Sequence, residues 1–252
     1  MSKENLSQRQ NKPSTILYCF SPLVMVSTFM IELFAALYVL KRYQSDMTSR
    51  LIVAMLGMLA FFQLAEYMIC KEAYIFSSLD WARMGYIAIT LLPPLGIHLG
   101  THIAQKKSGL LLKASYASAA TFIAYFLFVG HGIQGEQCLG NYIIFSVAPQ
   151  AMIPYGFYYH GWLVTSVALA WKAKSHIADV KRRSALMWLV IGYLSFMVPT
   201  LIVTALRPET RAAIPSVMCG FAILMAFCLL FKVSPLVLKN SDSKQYNYQE
   251  TT

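Results

Sequence analysis

The stretch ILYCFSPLVMVSTFMIELFAALYVLK, residues 16–41, is almost entirely apolar, and Glu32 is its only charged residue before Lys41. A bilayer core about 30 Å thick is crossed by about 20 apolar residues at a helical rise of about 1.5 Å each. The stretch is too long for the apolar core of a signal peptide, which has about 7–15 residues, and the residues before it are polar. It therefore predicts a first transmembrane helix that stays in the mature protein.

Six more stretches of this kind follow along the chain. The composition agrees, since 57% of residues are hydrophobic and 13% are charged, against about 45–50% and 25% in a typical soluble domain. The runs are continuously apolar rather than alternating, which favours helices over a membrane barrel. The sequence predicts an all-α integral membrane protein, a seven-transmembrane-helix bundle, with spans at 16–41, 50–70, 82–105, 109–130, 150–172, 184–206 and 211–238.

The domain organisation follows from these spans. A polar segment, 1–15, precedes the membrane domain, 16–238, and a polar tail, 239–252, follows it. The composition of the tail predicts disorder. No connection is long enough for a soluble catalytic or nucleotide-binding module.

Lysine and arginine are unevenly distributed between the two sides of the predicted bundle. With the N-terminus outside, the inner segments hold twice as many of the 21 Lys and Arg residues as the outer ones, and the segment 131–149 holds none. Cytoplasmic loops are enriched in these residues. The sequence therefore predicts an outer N-terminus, a cytoplasmic C-terminus and a bacterial inner membrane, and it argues against nucleic-acid binding despite the formal charge of +10.

Three of the five cysteines lie on the predicted outer side. Cys70 ends the second span and Cys138 lies in the outer loop, so a Cys70 to Cys138 disulfide would tie that loop to the bundle. Cys19 is an alternative partner, and free thiols are a further possibility. Cys219 and Cys228 lie in the last span, where cysteine usually serves as a small packing residue.

Two predicted spans carry polar groups that suggest a ligand pocket open to the outside. Gln63 and Glu66 share one face near the outer end of the second span. In the fifth span, the aromatic stripe includes Tyr155, Tyr159 and Trp162, with His160 beside it. An interfacial carboxylate and an aromatic belt at the membrane surface explain the same pattern.

The stretch LLPPLGIHLGTHIAQKK, residues 91–107, combines a proline pair with two histidines. Pro93 and Pro94 predict a kink near mid-membrane. His98 and His102 share a helix face as zinc ligands do, but a third ligand is missing and we predict no metal, cofactor or catalytic residue. A role at the helix end and a proton-sensitive relay of His98 with the deeply placed Glu32 are the alternatives. A hydrogen-bonded, protonated Glu32 that only stabilises the bundle is equally compatible.

Several stretches resemble the seven-helix membrane sensor region at the N-terminus of many bacterial histidine kinases. They are FFQLAEYMI, DWARMGYIAITLLPPLGIHL, YYHGWLVTSVALAW, RRSALMWLVIGYLSFMVPTLI and IPSVMCGFAILMAFCLLFKVSPLV. The resemblance implies a membrane sensor. In such proteins the seventh helix leads into a catalytic part, whereas this sequence ends after a short tail, so we expect a signal to leave through a partner protein.

The sequence thus favours a receptor or sensor that binds a small or lipophilic ligand from the outer side. The expected partners are membrane lipids, the ligand, and a protein that contacts the basic loop from Lys172 to Arg183. A proton-coupled transporter, a membrane-embedded enzyme and a non-catalytic assembly subunit remain alternatives.

Overall fold

The structure is a computed structural model and describes residues 22–71, 76–106, 109–129, 132–139 and 142–241. The predicted N-terminal segment, 1–15, and the tail from 242 lie outside these residues. The described chain contains seven long helices: α1 Pro22–Arg42, α2 Met47–Lys71, α3 Ser78–Ile103, α4 Leu110–Phe128, α5 Pro149–Lys174, α6 Val180–Leu206 and α7 Ile214–Val237.

Each helix coincides with one predicted span, and the chain is an integral membrane protein. Within the described residues, six helices are long and apolar enough to cross a membrane. The exception is α5, which has 26 residues but carries polar and tyrosine-rich sequence in its first half. The seventh span is therefore not confirmed by length and composition alone.

Side-chain caps fix the start of two helices. Ser77 accepts a hydrogen bond from the amide of Asp80 at the start of α3 (3.2 Å). Asp179 accepts from the amide of Lys181 at the start of α6 (2.8 Å). These caps satisfy amides that have no partner inside the helix. They place the helix starts a few residues earlier than the apolar runs predict.

Helix α3 lies at the centre of the bundle. It contacts α2, α4, α5 and α6, while α1 packs against α2 and α7 and closes the ring. Gly96 of α3 permits the closest approach, because a Cβ atom at this position would collide with the hydroxyl of Tyr193 on α6. Gly192 of α6 similarly lies against Met225 of α7, just before a π-helical segment, Cys228–Val233.

The fold departs from the all-α prediction in the predicted outer loop. Strands β1 Ile133–Leu139 and β2 Tyr142–Val147 pair as an antiparallel hairpin. The loop is rich in β-branched and aromatic residues, which favour strands. The strands are too short to be recognised from long apolar runs, which is why the sequence did not predict them. The hairpin contacts α2, α3 and α7. We call this side of the bundle the hairpin end.

The opposite side, the basic end, contains the C-terminal ends of α1, α3, α5 and α7. There the amide of Gln44 donates to the carbonyl of Lys239 (2.9 Å), and the amide of Ser241 donates to the carbonyl of Arg42 (3.0 Å). These bonds join the chain after α1 to the chain after α7. The first three residues of the predicted tail are thus paired rather than disordered.

Candidate functional site

A clamp from α5 holds the proline-interrupted turn of α3. Pro94 has no amide hydrogen, so the carbonyl of Thr90 loses the donor that residue i+4 usually supplies. The hydroxyl of Tyr158 donates to this carbonyl instead (2.6 Å). The Thr90 hydroxyl donates to the carbonyl of Tyr86 (2.6 Å). Since its hydrogen is used there, the Tyr155 hydroxyl donates to the Thr90 oxygen (3.0 Å).

Aromatic rings surround this clamp and extend it to α4. The ring of Phe122 lies 5.3 Å from that of Tyr155 and 4.9 Å from that of Tyr158. Tyr155 also contacts Phe126 (5.2 Å) and Tyr86 (5.6 Å). Such tilted and edge-to-face pairs are favourable beyond simple burial. Rings from three helices therefore form one rigid cluster.

A groove opens between α4 and α5 beside this cluster. Its volume is about 170 Å³. The residues that line it are Thr121, Phe122, Tyr125, Gln150, Ala151 and Pro154. The Tyr125 hydroxyl is buried and has no hydrogen-bond partner among the described residues. Pro154 removes the intrahelical donor for the carbonyl of Gln150. The groove thus offers mainly apolar walls, and its polar lining residues include Thr121 and Gln150.

The predicted pocket residues on α2 and α5 lie inside the packed core. Gln63 is 3% exposed and Glu66 is 1% exposed. Tyr155 and Tyr159 are also buried. Tyr159 lines a cavity of about 20 Å³ with Cys219 and other core residues, which is room for about one water molecule. These side chains do not line an open pocket in this conformation.

The residues of the aromatic stripe on α5 differ in the partners that they contact. The indole nitrogen of Trp162 donates to the Ser118 hydroxyl on α4 (3.0 Å). The His160 Nδ1 atom lies 3.0 Å from the carbonyl of Gly156 in its own helix. Trp162 and His160 therefore do not join Glu66, whereas Tyr159 reaches the core.

Glu32 lies with the second buried carboxyl rather than with a histidine. Its side chain is 0% exposed, and neither carboxyl oxygen has a hydrogen-bond partner among the described residues. Glu66 interacts with it electrostatically. His98 instead has its Nδ1 atom 3.1 Å from the Tyr116 hydroxyl on α4. The hydrogen-bonded relay predicted for Glu32 and His98 is not formed in this conformation.

The remaining histidine and the cysteines occupy separate places. His102 Nδ1 lies 3.0 Å from the Thr48 hydroxyl at the basic end. Within the described part of the chain, no group of three or more His, Cys, Asp or Glu residues could hold a metal ion. Cys70 forms a disulfide. The side chain of Cys138 lies outside the described residues, so its pairing with Cys70 stays a prediction.

Sequence reasoning did not identify Thr90, Phe122 or Ser216. It placed Tyr158 only beside the aromatic stripe and treated Cys219 only as a packing residue. The spacing of Thr90 four residues before Pro94 was a usable signal, because it identifies the carbonyl that needs a new donor. Ser216 hydrogen-bonds Glu66. Its spacing of three from Cys219 was a second signal, since it places two polar groups on one face of an apolar helix.

Compared with known proteins, the chain matches no protein-family model and no curated protein.

Proposed function

We propose that this protein is a membrane receptor or sensor that binds a small lipophilic ligand in the groove between α4 and α5 and signals through a partner protein. One observation carries the proposal. Phe122 lines the groove and also packs against Tyr155 and Tyr158, whose hydroxyls hold Thr90 of α3. An occupant of the groove thus touches the side chain that supports the clamp.

The chemistry of the groove selects the class of ligand. Phe122, Ala151 and Pro154 supply apolar surface, and the buried Tyr125 hydroxyl, which has no partner among the described residues, would donate a hydrogen bond to an occupant that reaches it. The volume of about 170 Å³ is below the roughly 300–1,000 Å³ of typical drug-sized sites. A short acyl chain or a compact apolar molecule with one polar acceptor fits these features.

The path of the signal follows α3 from the clamp to the basic end. Displacing Phe122 alters the support of the proline-interrupted turn, and kinked helices respond to such changes by hinge-like bending. At the other end of α3, His102 contacts Thr48 and the carbonyl of Ile103 accepts a hydrogen bond from Arg182 (3.3 Å). Arg182 belongs to the predicted partner-binding loop.

The resemblance to kinase sensor regions and the excess of positive charge at the basic end support the same direction of signalling. In this proposal the hairpin end faces the outside and the basic end faces the cytoplasm of a bacterial cell. The partner is a cytoplasmic or membrane protein that contacts the segment from Lys172 to Arg183.

Photo-crosslinking tests the ligand site. The full chain in proteoliposomes is exposed to a diazirine-bearing hexanoate, and adducts are mapped by mass spectrometry. We expect adducts at Phe122, Tyr125 or Pro154. Ala151→Trp fills the groove and is expected to reduce them at least fivefold. Ala120→Trp is the matched control, because Ala120 is exposed on the opposite face of α4. Equal labelling in both variants contradicts the proposed site.

Hydrogen exchange tests the signal in the same sample. The amides of Ala104 and Gln105 bond to the carbonyls of Gly100 and His102 in the last turn of α3. We expect hexanoate to change their exchange rates in the native chain but not in Ala151→Trp. Binding in the groove without any change at this turn would argue for a simple lipid contact and against a sensor.

A further inference from the structure

Two carboxyl groups from different helices lie together in the core of the bundle. Glu32 on α1 is 0% exposed and Glu66 on α2 is 1% exposed, and the two interact electrostatically. At about 1.5 Å per residue, Glu66 lies roughly 7 Å from the end of α2, and Glu32 lies roughly 15 Å from the start of α1. Glu66 is therefore near the hairpin end of α2, whereas Glu32 is at the middle of α1.

Side chains from two other helices interact with this pair. On α7, Ser216 hydrogen-bonds Glu66, and the buried thiol of Cys219 interacts with both carboxyls. On α3, the Tyr86 hydroxyl interacts with Glu66. Each of these three interacting side chains is uncharged in its ordinary form.

The hydrogen-bonding capacity of the pair is incomplete. Both oxygens of Glu32 and Oε1 of Glu66 have no hydrogen-bond partner among the described residues. These atoms accept hydrogen bonds when the carboxyl is ionised, and a buried acceptor without a donor is unfavourable. A proton on one carboxyl removes its charge and turns one oxygen into a donor. Two ionised carboxylates that interact within a buried site would repel each other.

We propose that Glu32 and Glu66 form a proton-binding site, which holds at least one proton at neutral pH. The site is separate from the groove and does not depend on the proposed lipophilic ligand. It lies where α1, α2 and α7 meet, so loss of the proton would place repulsion between α1 and α2. As in other coupled carboxyl pairs, the proton belongs to the pair rather than to one residue.

A membrane-permeant carbodiimide tests this site, because it modifies protonated carboxyls in apolar surroundings. The full chain in membranes is treated at pH 7 with dicyclohexylcarbodiimide, and adducts are mapped by mass spectrometry. We expect an adduct on Glu32 or Glu66. Asp80 is the matched control, since its side chain is 46% exposed and paired with Arg83. It should react with a water-soluble carbodiimide instead.

Substituted variants and added salts provide two further checks on the labelling experiment. Glu32→Gln and Glu66→Gln should each abolish the adduct at the substituted position, whereas Asp80→Asn should leave total labelling within about twofold. If the adducts appear only below pH 5, the pair is ionised at neutral pH and the proposal is wrong. Protection by sodium chloride but not by choline chloride would show a metal-cation site and would also overturn it.

Infrared spectroscopy of the unsubstituted chain covers the case in which the reagent does not reach the pair or a variant does not fold. A protonated buried carboxyl has a carbonyl stretch that shifts in deuterated water. We expect such a band at pH 7 and its weakening on titration to alkaline pH. Absence of the band at pH 7 overturns the proposal, whatever the labelling shows.

Discussion

At the scale of single residues, Thr90 shows how a local sequence feature depends on tertiary packing. Pro94 deprives its carbonyl of a helical donor, and Tyr158 on α5 supplies the replacement (2.6 Å). Pro94 and Tyr158, which supplies the replacement donor, are far apart in sequence. The proline interruption of α3, which looks like a local property of that helix, is thus stabilised by another helix.

The clamp predicts unequal effects for two similar substitutions. Tyr158→Phe leaves the buried carbonyl of Thr90 without a donor, which we expect to lower the free energy of unfolding by about 1–3 kcal/mol. Tyr155→Phe should cost less, because the Thr90 hydroxyl keeps its bond to the carbonyl of Tyr86. Thermal unfolding of both variants in one detergent measures the difference. An equal or reversed order would show that the clamp does not stabilise the kink.

Gly96 lies at a close contact between α3 and α6 that the local sequence does not predict. A Cβ atom there would collide with the Tyr193 hydroxyl on α6. We expect Gly96→Ala to destabilise the bundle by about 1–3 kcal/mol, as overpacking usually does. Adding Tyr193→Phe should recover part of the loss.

Gly57 provides the control for this prediction. It lies inside helix α2, and a Cβ atom there would meet nothing within 4 Å. Gly57→Ala should be neutral or slightly stabilising, because alanine has the higher helix propensity. Comparable melting temperatures for Gly96→Ala and Gly57→Ala would contradict the predicted collision.

At the scale of elements, the hairpin is the largest addition to the predicted fold. Its strand β1 contacts α2 and α3, and β2 contacts α7 and the 3-10 turn Pro208–Ala213. It therefore lies over helices that contribute Glu66 and Ser216. The contact between β1 and α2 is compatible with a disulfide from Cys70 to the strand.

The disulfide prediction is tested by peptide mapping without reduction. Cys70 is bonded in the structure, and Cys138 belongs to β1. We expect a linked peptide that contains both cysteines and a lower melting temperature after reduction, since closing a long loop typically contributes about 2–4 kcal/mol. Cys138→Ser should abolish the linked peptide. A peptide that links Cys70 to Cys19 would instead support the alternative pairing.

Helix α5 shows how buried polar side chains weaken the sequence signal of a span. Its first half carries the tyrosines of the clamp, and its mean hydropathy falls below that of the other six long helices. The tyrosine hydroxyls find partners on α3, so the polar groups are satisfied inside the bundle. Composition alone underestimates such a helix because it ignores these hydrogen bonds.

At the scale of the whole molecule, the two ends of the bundle differ in charge and in the chain segments that cover them. The basic end is joined by backbone pairing between the chain segments that follow α1 and α7. The other end is covered by the hairpin. This asymmetry is the physical basis for the proposed orientation, with the hairpin end outside.

Cysteine labelling tests that orientation. Phe76→Cys places a thiol at the hairpin end, and Ala178→Cys places one at the basic end, both at exposed positions. In intact cells, a membrane-impermeant maleimide should label Phe76→Cys at least tenfold more than Ala178→Cys. Opening the cells should make the two equal. The reverse pattern would invert the proposed topology.

The sequence by itself determined the positions of the helices and the proline interruption of α3. Both depend on local composition: apolar length decides a span, and proline removes a donor wherever it stands. The sequence also identified Glu32 and Glu66 as unusual, because charges inside apolar runs are costly in any fold.

Only the tertiary structure decided which side chains meet. His98 was one of the alternatives that the sequence offered for Glu32, whereas in the bundle Glu32 interacts with Glu66. Tyr155 and Tyr159, which the sequence placed in the pocket, are buried in the core. The groove lies between α4 and α5 instead. Those outcomes depend on how each helix is rotated about its axis and which neighbour it faces. Rotation is set by the packing of all the helices together, which no single stretch of sequence contains.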